Sequence, residues 1–135
     1  MRASAERLMV QWAKADMALA AILDGRVATD LPSDPTFPFL VVFQIGGAPD
    51  PSEAPVDLPL LQWDCYGSEG FAGRAQADTL ARTLLDRLSS ADGMTVLGQG
   101  HIYGHQTIDY RRSPEPDTGW ARYTITTISM IRELV

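Results

Sequence analysis

Two segments of the sequence repeat apolar residues at spacings of three and four, and they limit what the rest of the chain can be. The first runs from about Ser4 to Asp24 and the second from about Ser68 to Ser90. Apolar residues at this spacing share one face of a helix, and such a face needs another layer to cover it. The two predicted helices are therefore expected to pack on one face of a sheet built from the remaining segments.

Five segments carry the signature of β-strands, which is a short run or alternation of β-branched and aromatic residues. They are residues 39–45, 60–66, 95–103, 105–112 and 119–132. Gly104 is expected to turn or bend the chain between the third and fourth of them. The order helix, two strands, helix, three strands predicts an α+β fold with a mixed, mostly antiparallel sheet of four or five strands. The first two strands and the last two are predicted to form antiparallel hairpins. Residues 1–135 have the length of one domain.

The composition argues against a protein that binds nucleic acid tightly or spans a membrane. The net charge is −6, whereas binding to nucleic acid requires clustered Lys and Arg. No run approaches the 18 or so apolar residues of a membrane span, and the apolar stretch 17–23 lacks a signal-peptide cleavage site. Cys65 is the single cysteine, so no internal disulfide can form. We therefore expect a protein of a cytosol-like compartment.

The candidate catalytic and metal-binding residues form no recognisable site. His101 and His105 are four residues apart, which suits zinc on a helix but spans about 13 Å on a strand. Cys65 alternates with Leu61 and Trp63 and has no basic neighbour, which predicts a buried structural thiol. The sequence therefore predicts no catalytic residue, no metal and no cofactor.

The first predicted helix carries a second apolar stripe, formed by Met9, Val10, Ala13, Met17 and Ala20. A helix on the surface of a monomer needs one such stripe. Burial between the sheet and a loop would explain the second stripe, and so would contact with a neighbouring subunit, where Met adapts well.

Charged residues concentrate in two loops that are candidates for contacts between subunits. The segment 46–59 contains four prolines and three acids, and the turn 113–118 contains two acids and follows two arginines. Both could be solvated loops, or acids and arginines at opposite ends of a subunit could pair head to tail around a ring. The predicted contact residues are Met9, Ala13, Met17, Asp50, Glu53, Asp57, Arg111, Arg112, Glu115 and Asp117.

Three stretches occur together in an order that is typical of one family. They are GRVATDLP…PFLVVFQIGG at 25–47, DLPLLQWDCYGSEGFAGRAQADTLARTLLDRL at 57–88 and RRSPEPDTGWARYTITTISMI at 111–131. Together they resemble the tail terminator (tail completion) proteins of long-tailed bacteriophages, especially those of actinobacteria. The resemblance covers about two-thirds of the chain, and the ordered set carries it, since each stretch alone is unspecific.

The resemblance implies a structural virion protein that forms a ring, usually of six subunits. Such a ring caps the head-proximal end of the tail tube, stops its polymerisation and joins the tail to the head. Its implied partners are copies of itself, the major tail tube protein and the connector or neck proteins, after assembly in the host cytoplasm. Double-stranded DNA passes through the ring, and no membrane takes part.

The family has no catalytic residues, so the resemblance implies no enzyme, and its working surfaces are loops and a sheet edge. In this chain the matching segments are the 46–59 loop and the 113–118 turn. Two alternatives stay open. One is another neck component, such as a head-closure or connector-adaptor protein. The other is a small α+β enzyme or ligand-binding domain with a pocket lined by His101, Tyr103 and Asp109.

Overall fold

A mixed sheet forms the centre of the molecule, and helices cover one of its faces. The computed structural model describes residues 4–49, 56–96 and 98–133. In these residues the elements are α1 (Ala5–Ala15), α2 (Met17–Leu23), β1 (Val27–Ala28), β2 (Phe39–Pro49), β3 (Asp57–Glu69), α3 (Gly70–Leu88), a 3₁₀ turn (Ser89–Ala91), β4 (Thr95–Val96), β5 (Gly100–Arg112) and β6 (Trp120–Glu133). No described helix is both long and apolar enough to cross a membrane.

The six strands lie in the order β1-β2-β3-β6-β5-β4. Only β1 runs parallel to its neighbour, β2, and every other pair is antiparallel. The predicted α+β fold is therefore confirmed, together with the hairpins β2–β3 and β5–β6. The sheet exceeds the predicted four or five strands because Val27–Ala28, which precedes the first predicted strand, also pairs. Two residues are too few to show alternation in a sequence.

The predicted strands 95–103 and 105–112 are divided differently in the structure. The chain turns at Gly98, where φ is 77°, and β5 then runs without a break from Gly100 to Arg112. Gly104 lies beside a β-bulge, where the register of β5 on β6 shifts. A bulge bends a strand without ending it, so of the two outcomes predicted for Gly104, a turn or a bend, the structure has the bend.

The single helix predicted from Ser4 to Asp24 is two helices, because the chain leaves the helical conformation at Asp16 (φ −69°, ψ 122°). The Asp16 carboxylate accepts a hydrogen bond from the backbone N–H of Leu19 at 3.2 Å, which caps α2. The same carboxylate binds Arg87 of α3, with Nη2 to Oδ1 at 2.8 Å. The break is therefore held by a residue 71 positions away in sequence.

The main core lies between the helices and what we call the inner face of the sheet. Its largest fully buried side chains include Leu8, Trp12 and Leu19 from α1 and α2, Leu80 and Leu84 from α3, and Leu40, Leu61, Trp63, Ile102 and Ile125 from the sheet. Trp12 and Trp63 meet edge to face with ring centroids 6.2 Å apart. The indole N–H of Trp63 donates to Thr127 Oγ1 at 2.9 Å, which satisfies a buried polar group.

The first turn of α3 is held very close to β3. Gly67 and Gly73 face each other so closely that a Cβ on Gly67 would overlap the carbonyl oxygen of Gly73. A Cβ on Gly73 would overlap the carbonyl oxygen of Ser68 in the same way. The helix starts at Gly70 and not at the predicted Ser68, because Ser68 still belongs to β3, at a bulge between Gly67 and Glu69.

One half of the opposite, outer face is covered by the segment 26–38. Phe39, Val41 and Tyr66 form a second apolar cluster, against which Ala28, Leu31, Phe37, Phe43 and Trp120 pack. Arg26 fixes the segment, because its Nε donates to the carbonyl oxygen of Pro38 at 2.9 Å and its Nη2 to that of Ile22 at 3.1 Å. We call this region the covered half.

Candidate assembly surfaces

The two predicted arginines lie together at the end of β5. Arg111 and Arg112 are both exposed, and in the register of the sheet they pair with Thr124 and Tyr123 of β6. The Nε of Arg111 is 3.6 Å from a carboxylate oxygen of Asp109. Because this ion pair is exposed, it leaves the guanidinium accessible to a partner. We call this region the basic end of the sheet.

The predicted acids of the following turn have different surroundings. Glu115 folds back on the hairpin, where it accepts a hydrogen bond from the N–H of Asp117 at 3.0 Å. Its other oxygen lies 3.8 Å from Nη1 of Arg122, and Arg122 Nε donates to the carbonyl oxygen of Ser113 at 2.7 Å. Glu115 therefore braces the turn, whereas Asp117 is exposed.

Of the predicted acidic contacts in the segment 46–59, Asp57 lies at the other end of the sheet. Asp50 and Glu53 fall outside the described residues, and the half-buried Asp57 begins β3 opposite Ile131. At the basic end, Arg112 pairs with β6 in the row that contains Cys65 of β3. The eight residues from Asp57 to Cys65 span about 26 Å of strand. We call the region of Asp57 the acidic end, and its distance from the basic end prevents direct ion pairs within one protomer.

The second apolar stripe of the first helix is mostly internal. Met9 and Ala13 are 2% and 0% exposed and belong to the main core. Burial within the protomer therefore explains them, and a neighbouring subunit cannot reach them in this structure. Met17, which follows the break at Asp16, is 86% exposed. Of the stripe residues predicted to contact a subunit, Met17 is the one that a partner can reach.

An apolar groove that the sequence analysis missed lies on the outer face, next to the acidic end. Its volume is about 370 Å³, and Leu58, Tyr103, Gln106, Ile128 and Met130 line it from three strands. Ile128 and Met130 are each 39% exposed. We call this region the bare half of the outer face. Its signal in the sequence is the run 128–131, where apolar residues occupy both faces of β6.

Bulges add apolar residues to the exposed surface of the sheet. The register of β2 on β3 passes from Gln44–Leu61 to Gly46–Leu60, which leaves Ile45 as an extra residue. Tyr103 and Ile108 are extra residues of β5 in the same way. All three are large apolar side chains that remain exposed. Because bulges re-aim side chains at sheet edges, these positions are candidates for contacts with other molecules.

The helical side of the molecule carries its own exposed aromatic residue. Phe71, in the first turn of α3, is 87% exposed. Glu69 and Arg74, which precede and follow it, are exposed as well. Since Glu69 is the last residue of β3 and pairs with Trp120, this turn lies towards the basic end of the sheet.

The two edges of the sheet differ in how they are closed. Along β2, β1 pairs with Leu40 and Val41, and the Glu6 carboxylate accepts a hydrogen bond from the N–H of Gln44 at 2.9 Å. Along β5, β4 reaches only Gly100 and His101. Ile102, the next residue of β5, still exchanges backbone hydrogen bonds with Gly93 and Met94. Among the described strands none pairs with the outer edge of β5 beyond Ile102, so that stretch is open to strand addition.

The residues that could have carried chemistry have separate structural partners. The Nδ1 of His101 lies 2.9 Å from Thr95 Oγ1, and that of His105 lies 2.7 Å from Asp92 Oδ1. Within the described ranges, no three His, Cys, Asp or Glu residues are grouped so that they could hold a metal. Cys65 is fully buried, and burial raises the pKa of its thiol, with a further increase from the Asp64 charge.

Comparison with known proteins identifies one family and a related fold. A family model described as tail completion protein gp17 matches residues 7–132. No curated protein matches the chain. Among seven matching chains of solved structures, one belongs to a structure titled "Virion of native gene transfer agent (GTA) particle". It is 19% identical, with a TM-score of 0.69 over 96% of this chain and 95% of that chain. At this identity the likeness establishes the shared fold.

Proposed function

Because the chain belongs to the tail completion protein gp17 family, we propose that it is a structural protein that caps the tail tube of a phage as a ring of identical subunits. The observation that carries this proposal is the family match, which spans residues 7–132 and so includes nearly the whole fold. The ring stops growth of the tube at its head-proximal end and joins the tail to the neck. It assembles in the host cytoplasm without a membrane.

The distribution of charge supports a ring whose subunits meet head to tail. Arg111 and Arg112 lie at the basic end, and Asp57 lies at the acidic end with Asp50 and Glu53 nearby in sequence. The distance between these ends prevents direct pairing inside a protomer, whereas neighbours in a ring bring opposite ends together. Exposed ion pairs add little affinity, but they fix the orientation of the partners. Six copies, as is usual for tail terminators, close the ring in this proposal.

The net charge supports passage of DNA rather than its retention. Each subunit carries −6, so a ring repels a polyanion and a duplex in its opening finds no strong binding site. The likeness to a chain from a gene transfer agent virion supports a place in a particle of the same kind. The tail tube protein on one side and neck proteins on the other are the proposed partners.

The ring is tested by native mass measurement and negative-stain microscopy of the purified protein, with and without isolated tail tubes. We expect closed rings that bind one end of the tube and stop the addition of tube protein. A protein that stays monomeric with tubes present contradicts the proposal. Rings that do not bind tubes but do bind portal or connector complexes would instead identify a neck component.

The head-to-tail contact is tested by the double variant Arg111→Glu/Arg112→Glu. Reversing both charges places like charges against the acidic end of the neighbour, so we expect at least a tenfold higher concentration for ring formation. The control is Arg7→Glu/Lys14→Glu, which makes the same charge change at exposed positions of α1. Equal assembly of the two variants would remove the basic end from the interface.

A further inference from the structure

We propose that the bare half of the outer face is the seat for the first turn of α3 from a second copy of the chain, with Phe71 inserted in the groove. This inference rests on the proposed ring and names the contact that holds neighbouring subunits together. It concerns residues that the charge argument does not use. Phe71 is the apolar side chain that inserts, and we call it the knob. Tyr103, Ile128 and Met130 form the walls of the groove that receives it.

The knob is exposed and held in a fixed position. Phe71 is 87% exposed, which is unusual for a side chain of this size. The close packing of Gly67 against Gly73 fixes the turn that carries it. Little conformational freedom of the backbone is therefore lost when the turn binds, and such preorganisation favours affinity.

The groove has the chemistry that an aromatic side chain requires. Its lining includes Tyr103, whose ring can stack edge to face with another ring, and Met130, whose sulfur makes favourable contacts with aromatic rings. Leu58 and Ile128 supply aliphatic walls. The volume of about 370 Å³ belongs to an open depression on the sheet, so a partner can enter it without rearrangement of the strands.

The charges around the knob and around the groove are complementary. Glu69 and Arg74 flank Phe71, one on each side in sequence. At the groove, the Arg132 guanidinium lies 5.7 Å from the centroid of the Tyr103 ring. One orientation of the neighbour therefore brings Glu69, beside Phe71, to Arg132 at the groove.

The positions of knob and groove favour a contact that repeats around a ring. α3 packs on the inner face of the sheet against β3 and β6, whereas the groove lies on the outer face. The eleven residues from Leu58 to Glu69 also separate them by about 36 Å along β3. They cannot meet within a protomer. If the bare halves of two subunits faced each other, the assembly would stop at a dimer. When the Phe71 knob of one subunit enters the groove of another, each end of the pair keeps an unused knob or groove for the next subunit.

The same geometry joins this contact to the proposed ion pairs. Phe71 lies towards the basic end with Arg111 and Arg112, and the groove lies next to Asp57 at the acidic end. A neighbour that brings its basic end to the acidic end therefore also brings its Phe71 towards the groove. The apolar contact supplies affinity and the charges supply orientation in a single interface.

The contact is tested by cross-linking the double variant Ala72→Cys/Gln106→Cys with a short bismaleimide. Ala72 is exposed beside Phe71 and Gln106 lines the groove, so both thiols lie at the contact while Phe71 and Ile128 stay in place. Native Cys65 is fully buried and leaves the engineered thiols as the reactive pair. We expect a ladder of covalent oligomers that ends at the subunit number of the ring. Each single variant should give no cross-linked dimer. The control is Thr79→Cys/Gln106→Cys, which should not cross-link, because Thr79 is exposed on the same helix two turns beyond Phe71.

A second measurement separates the contact from effects on folding. Phe71→Ala should raise the concentration for ring formation at least about tenfold, as expected for a central aromatic anchor. The melting temperature of the monomer should stay unchanged, because the side chain is exposed. Phe71→Trp should retain assembly, since the seat is open and a larger aromatic ring keeps the same contacts.

Failure of this inference differs from failure of the proposed function. Rings that form without the ladder, and with Phe71→Ala assembling like the native protein, overturn the contact and leave the function in place. Dimers from Gln106→Cys alone show a twofold contact of the bare halves and also overturn it. A ladder without closed rings supports the contact and contradicts the proposed ring. If neither a ladder nor a ring forms, both proposals are contradicted.

Discussion

The two halves of the outer face have similar side chains and different surroundings. In the covered half, Phe39, Val41 and Tyr66 are each less than a tenth exposed, because the segment 26–38 lies over them. In the bare half, Ile128 and Met130 remain 39% exposed among the described residues. An apolar stripe on a strand therefore shows that a face needs a cover, but it does not tell whether the cover comes from the same chain.

The covered half and the bare half also contribute to different free energies, one of folding and one of association. Burial of apolar surface in the covered half contributes to the free energy of folding of one protomer, at about 25 cal/mol for each Å² removed from water. In the proposed contact, burial of the bare half contributes to association instead, so it depends on protein concentration. Substitutions in the two halves should therefore change different measurements.

The largest expected difference is between Trp120→Ala and Met130→Ala. The Trp120 ring meets Phe37 with centroids 5.2 Å apart, so its removal opens the cover of the outer face and should lower the free energy of unfolding by about 2 kcal/mol. Met130→Ala should lower it by less than about 1 kcal/mol. Urea unfolding below the assembly concentration measures both, and equal losses would contradict the division into two halves.

A smaller effect is expected from Arg26→Ala, which removes the hydrogen bonds that fix the covering segment. The carbonyl oxygens of Pro38 and Ile22 lose their charged hydrogen-bond donor. The free energy of unfolding should therefore fall by about 1–2 kcal/mol. Arg74→Ala, at an exposed position of α3, is the matched control in the same urea titration. If both arginines behave alike, the segment is held by its apolar contacts alone.

The smallest effect concerns the pH dependence of the covered half. Burial raises the pKa of Tyr66, the Arg122 hydrogen bond partly opposes this increase, and the Asp64 charge adds a smaller increase. Because the folded pKa lies above the unfolded value of about 10, this contribution to stability is complete below pH 10 and is lost as pH rises through the folded pKa. Tyr66→Phe should therefore flatten the decline of stability above pH 10, as measured by urea unfolding. A steeper decline in this variant would contradict the assigned direction.

The order of helices and strands could be predicted from the sequence, because periodicity is a local property. The α+β class, the two hairpins and the family resemblance were predicted, and the structure and the family match confirm them. The break at Asp16 could not be predicted, because it is held by an ion pair with Arg87, which lies in the last turn of α3 and far from Asp16 in sequence. The bulges at Ile45, Tyr103 and Ile108 appear only in the pairing of strands.

The candidate surfaces were predicted less completely than the fold. The sequence identified Arg111, Arg112 and Asp117 as surface residues, and all three are exposed. It could not separate Met17 from Met9 and Ala13, because all three belong to one stripe until the helix breaks. Their roles at an interface stay predictions. The bare half was missed because alternation assigns residues to faces without telling which face is covered.

The position of β6 has a consequence for the order in which a subunit becomes complete. Of the described strands, β6 comes last in the sequence, yet it lies in the interior of the sheet, between β3 and β5. Until it inserts, β3 and β5 each lack a neighbour, and the core remains open during translation. Ile128 and Met130 both lie on this strand, so a nascent or partly folded chain does not yet form the groove. In the proposed contact, assembly would therefore be restricted to subunits that have completed folding.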